Sequence, residues 1–180
     1  MITIDRKTSY FNMCEDAGFD NMVMFNWLDN NGFFVAPASS KYHGAYDGGL
    51  FDHSAAVAKR LIKLTHDNNL HWVRGISPFV VGMFHDLCKI DQYTKIKGET
   101  ESNYSYTYNT DLVLSGHGSK SVILLSQFMP LTEEEILCIR YHMGPYEKEE
   151  WHEFDLAIRE YENVLYTHLA DMLASKVDNV

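Results

Sequence analysis

The chain has 180 residues and 46% hydrophobic content, which fits one globular domain that buries a core without disulfide support. Lys and Arg number 15 against 25 Asp and Glu, a net charge of −10. That balance argues against a general nucleic-acid coat, which needs clustered cations, but permits a small anion at a local positive site. Cys14, Cys88 and Cys138 form no CxxC pair and read as reduced thiols. The opening MITIDRKTSYFNMCEDAG has no apolar centre of a signal peptide, and no apolar run reaches membrane length. A cytoplasmic protein is expected.

In chain order, Met22, Phe25, Trp27 and Leu28 predict one helix before a stop at Gly32. Prolines, serines and glycines make a loop of residues 33–49. A helix from about Leu50 to Thr65 would bury Ala55, Ala56, Ala58, Leu61, Ile62 and Leu64. Ser77 before Pro78 reads as an N-cap for a helix through Val80, Val81, Met83, Phe84 and Leu87. Two alternating, β-prone runs between Tyr93 and Asn109 read as a hairpin around a polar centre. Ser115 would cap a helix containing Val122 to Leu125. Thr132 and Glu135 have capping-box spacing for a helix ending before Gly144. A last helix runs from about Glu153 towards Val177, with Leu156, Ile158, Leu165, Leu169 and Leu173 as apolar positions. The predicted fold is all-α, a helical bundle with a small β-hairpin insertion. Residues 1–40 would form a helical extension packed on a main domain of residues 41–180.

Nine histidines are a surplus for this length. His85 and Asp86 are adjacent, and neighbours on a helix diverge by about 100° yet can both reach a point beside it. An imidazole and a carboxylate suit a hard or borderline divalent metal, and a carboxylate has two oxygens with which to bridge two ions. Four other helical stretches each offer a polar group in an apolar setting: His53, His117, His142 and Asp171. Unpaired polar groups are expensive to bury, and converging side chains from several helices are how bundles build dinuclear sites. Four histidines and two aspartates suffice for two metals with open positions.

This order of residues, with the words GGLFDHS and HDLCK, resembles the HD-domain metallohydrolase superfamily over about Tyr42 to Ala174. The four-histidine set is similar to its dinuclear branch. YHGAYDGGLFDHS and GHGS are similar to small bacterial HD proteins related to the 3′-to-5′ exoribonucleases. The resemblance implies His53, His85, Asp86, His117, His142 and Asp171 as ligands of two divalent ions (Mn, Fe, Zn, Ni or Mg), with Asp86 bridging. It also implies phosphohydrolysis of a nucleotide or other small phosphoester by attack of a metal-bridging hydroxide on phosphorus. Lys89 matches the lysine of the HDxxK word and would contact phosphate; its spacing puts it on the face of His85 and Asp86. Cys88 stands where the family has glycine, and reads as a packed small residue. The chain lacks the exoribonucleases' OB-fold domain, so their substrate is not inherited.

Around this set, Lys120 lies one turn after His117 and is a candidate substrate cation. His43 and Tyr42 belong to a loop that borders the pocket in the similar proteins, which makes them substrate-binding candidates. His168 could support Asp171 from one turn away, or face solvent. His66, His71 and His152 read as solvent-facing, and Arg140 as an ion-pair partner. The tyrosines of the hairpin could stack on a base or simply pair across strands. Two other readings share the ligands: a dinuclear-iron oxygenase, and a 3′-to-5′ exonuclease-like phosphodiesterase, although −10 charge disfavours long strands. A small phosphorylated substrate is the expected partner, without a membrane, and a homodimer is compatible.

Overall fold

The structure, a computed structural model, describes residues 5–97, 104–145 and 150–180. Among the described residues there are eight α-helices: α1 (Arg6–Ala17), α2 (Met22–Asn30), α3 (Gly49–Asn68), α4 (Ser77–Phe84), α5 (His117–Leu125), α6 (Glu133–Arg140), α7 (Glu150–Glu160) and α8 (Asn163–Leu173). A 3₁₀ turn (Leu87–Ile90) follows α4, and a π turn (Ala174–Asp178) follows α8. Strands β1 (Tyr93–Lys97) and β2 (Tyr104–Tyr108) pair antiparallel, with Tyr93 opposite Tyr108. The architecture is therefore mostly helical with one small hairpin. The polar centre of that hairpin, residues 98–103, lies outside the described residues. None of the described helices is long and apolar enough to cross a membrane.

The first segment departs from expectation. Two helices replace one, because Asp5 caps α1 by accepting from the Lys7 and Thr8 amides, and Gly18 ends it in the left-handed region at φ 67°. Apolar periodicity is weak there, since only Tyr10 and Cys14 of α1 are buried. Arg6 holds α1 to α3 through two 2.8 Å bonds to Asp52. Phe33 and Phe34 from the following loop reach the same core as Phe51 of α3 and Phe84 of α4. Each such ring contributes roughly 1.5–3 kcal/mol on burial.

Helix α3 packs on α4 and on α8, and α6 packs on α5 and α8. At the α3–α4 contact, a Cβ on Gly82 would lie 2.4 Å from the Ala58 backbone, so the helices meet closely only without one. Two expected caps are corrected. Ser77 lies inside α4, where its hydroxyl donates to Glu135 at 2.7 Å, and Ile76 holds the cap position. Gly116, rather than Ser115, precedes α5. The Thr132–Glu135 capping box forms as read. The long final helix is broken into α7 and α8, and Leu156, Leu165 and Leu169 are exposed. Phe154, Ala157, Val164 and Ala170 supply the buried face instead.

Candidate metal centre

The six expected ligands come from five elements. His53 sits on α3 and Asp171 on α8, both within the helix. His85 caps the end of α4, and Asp86 precedes the 3₁₀ turn. His117 opens α5, and His142 lies just past α6. Helix ends, rather than helix middles, thus hold most of the set. A Cβ on Gly118 would meet the Arg140 carbonyl oxygen at 2.5 Å, so that glycine lets the start of α5 abut the end of α6. That contact brings His117 beside His142, with ring centroids 5.1 Å apart.

Asp86 is the hub. Its Oδ2 lies 3.6 Å from His53 Nε2 and 3.5 Å from His85 Nε2. Its Oδ1 lies 2.7 Å from His117 Nε2 and 3.4 Å from His142 Nε2. Two three-residue groups therefore share one carboxylate: His53, His85 and Asp86, and Asp86, His117 and His142, each with ligand atoms within 4.8 Å of one another. Asp171 Oδ1 adjoins the first group, 3.1 Å from His53 Nε2.

The opposite ring nitrogens decide what these imidazoles present. His85 Nδ1 faces the Gly82 carbonyl at 2.8 Å, and His142 Nδ1 faces the Ile139 carbonyl at 2.7 Å. Both acceptors belong to last-turn carbonyls that a helix end leaves free. His53 Nδ1 faces the main-chain oxygen of Val180 at 2.9 Å. A carbonyl only accepts, so each Nδ1 carries the proton and each Nε2 presents a lone pair. His53 and His85 then oppose lone pairs at an Nε2–Nε2 distance of 3.3 Å. In the other group, Asp86 Oδ1, His117 Nε2 and His142 Nε2 are buried atoms that complete no hydrogen bond. His117 differs: its Nδ1 faces Cys88 Sγ, and its Nε2 lies 2.7 Å from Asp86 Oδ1. Acceptors converging on acceptors in a buried site repel unless a cation lies between them. These residues fit divalent metal.

Charge follows the same geometry. Burial alone would raise the Asp86 carboxyl, but the Lys89 ammonium beside it holds it well below the carboxylate range. Burial would lower the Lys89 ammonium, and Asp86, with Oδ2 2.5 Å from Nζ, keeps it raised. Lys89 is thus buried against the hub. Burial drives His85 down to about 3, so it is neutral at physiological pH.

The outlying candidates divide. The His43 ring stands 5.2 Å from that of His53, and burial pushes it down to about 4. Tyr42 is exposed. Lys120 is buried and paired with Asp91. His168 does not support Asp171; its Nδ1 meets the His142 carbonyl at 2.8 Å, steadying the backbone of a ligand. His66, His71 and His152 are exposed, and Arg140 pairs with Glu153. Cys88 is packed, its thiol raised to about 12 by burial, with Sγ 3.8 Å from His117 Nδ1. The carbonyls of Gly82 and Ile139 had no signal in side-chain chemistry; the signal was a histidine three residues on, at a helix end.

No protein-family model matches the chain, and no curated protein or solved structure does. The site stands on its own geometry.

Proposed function

We propose that the chain is an HD-type, metal-dependent phosphohydrolase acting on a small phosphoester. The observation that carries this reading is the set of lone pairs aimed at one another around Asp86 in a buried site. His53, His85 and Asp171 would hold one divalent ion, His117 and His142 a second, and Asp86 would serve both. Such a pair of ions, when bound, activates water near neutral pH and polarises a phosphoryl oxygen.

The protein's own groups favour an anionic substrate. Two carboxylates and one ammonium leave the set one negative charge, which two divalent cations would reverse to three positive. A buried site of that sign attracts phosphate. Lys89 neutralises Asp86 now; with the carboxylate engaged by cations, its ammonium would be released to meet a phosphoryl oxygen. Carbonyl bonds to Nδ1 hold the His85 and His142 imidazoles in orientation.

The test is phosphate release from a panel of phosphoesters with Mn²⁺. Asp86→Ala is expected to lose activity by on the order of 100-fold or more and to lose bound metal. An Asp86→Ala protein with full activity would remove the proposal. Oxygen uptake by iron-loaded protein, without phosphate release, would replace it with an oxygenase.

A further inference from the structure

Exposure marks the side of the cluster nearest the surface. The side chains of His53, His85, Asp86 and His142 are 0–1% exposed and Asp171 is 9% exposed, whereas His117 is 27% exposed. Against His117 lies a cavity of about 190 Å³. Its lining includes Tyr108, Leu112 and Leu114, with Gln92, Ser115 and Lys120 as polar residues. Tyr108 is braced from behind by Tyr93, with ring centroids 5.1 Å apart. Lys120 is anchored by Asp91, so it offers its stem and a neutralised charge rather than a free cation. A larger cavity of about 680 Å³ between α1, α3 and the start of α4 touches none of the six ligands, and so has no part in chemistry at the cluster.

We propose that the cavity beside His117 seats the organic part of the substrate, and that this part is a single planar ring. The proposal rests on the phosphohydrolase reading for the identity of the anionic end. Apolar walls and an aromatic face suit a ring, whose faces gain from stacking. The amide of Gln92 supplies one polar contact at its edge. Volume sets the size: a cavity of about 150 Å³ holds benzene, and sites for drug-sized ligands start near 300 Å³. The seat is filled by an aryl or single-ring heterocyclic group, so a ribose would lie outside it. The substrate class is therefore a phosphoester of a one-ring compound.

The test uses phenylphosphonate and methylphosphonate, which bind as phosphoester mimics but have no ester bond to cleave. Calorimetric titration of the Mn²⁺-loaded protein is expected to find phenylphosphonate about 10-fold tighter. Tyr108→Ala removes the stacking face and Leu114→Trp fills the cavity. Both positions are exposed, at 60% and 37%, so the fold tolerates the change. Each variant should bring the phenyl-to-methyl ratio within about 2-fold. Equal affinity for the two mimics, an unchanged ratio in both variants, or binding of neither would overturn the proposal. So would a purine nucleoside monophosphate that binds 10-fold tighter than phenylphosphonate. The two readings fail separately. Selective binding without phosphoester hydrolysis sinks the hydrolase, whereas hydrolysis indifferent to the ring sinks only the seat.

Discussion

A ring nitrogen that faces a main-chain oxygen must donate, and that constraint turns the outer nitrogens of His53, His85 and His142 into acceptors. His53 and His85 belong to one half of the cluster and His117 and His142 to the other, so truncations should separate them. His85→Ala and His142→Ala are each expected to lower bound Mn²⁺ from two ions to one, while Asp86→Asn weakens both, read by metal analysis after gel filtration. One ion in the unmutated protein, lost in each histidine variant, would mean a single mononuclear site. His85 also gives the metal-free protein a pH dependence. Its folded value of about 3 lies below the unfolded value of about 6.5, so only the unfolded chain takes up a proton between them. Stability is therefore full above pH 6.5 and falls on acidification towards pH 3, at about 1.4 kcal/mol per unit. Urea unfolding of chelator-treated protein at pH 7 and pH 5 checks the sign. At this scale the order His, His-Asp, His, His, Asp was legible, because polar groups in apolar helical stretches need partners. The tautomers were not, since Gly82 and Ile139 act through backbone oxygens that carry no residue signature.

Among the elements, site and fold meet at helix ends. Gly118 lets α5 reach α6, and adding a side chain there pushes against the Arg140 and Ile139 carbonyls. Gly118→Val should destabilise by about 1–3 kcal/mol and weaken metal at His117 and His142 before the other pair, measured by unfolding and by metal titration. The helices α3, α4 and α6 were readable from periodicity or from a capping box. The Ser77 cap was misread because its hydroxyl is drawn to Glu135, a partner 58 residues away. The last helix was misread because Leu156, Leu165 and Leu169 mark a stripe that the fold leaves exposed, and apolarity alone does not say which stripe is buried. Helix α1 was missed because a helix held by Tyr10, Cys14 and the Arg6–Asp52 pair has almost no apolar period.

Across the whole molecule, distant segments are tied to the site region by polar links. Glu135 is fully buried, accepts from Arg74 and Ser77, and closes its own capping box. Glu135→Ala leaves those donors unpaired and should cost about 3 kcal/mol or more, seen as a lower urea midpoint. Asp47 joins the hairpin to the loop before α3 through Lys95 and Tyr106, which is how β2 comes to wall the cavity beside His117. Ligand binding to the folded state alone stabilises it by mass action, by about 4 kcal/mol at 1,000 times Kd. Chelation should therefore lower the melting temperature of metal-loaded protein, and Mn²⁺ should restore it.

The most direct measurement is anomalous scattering from crystals soaked in Mn²⁺. Two peaks about 3.5–4 Å apart, one among His53, His85 and Asp171, the other at His117 and His142, with Asp86 touching both, is the outcome expected. A map with no peak within reach of Asp86, at a Mn²⁺ concentration that fills other sites in the crystal, would contradict the account.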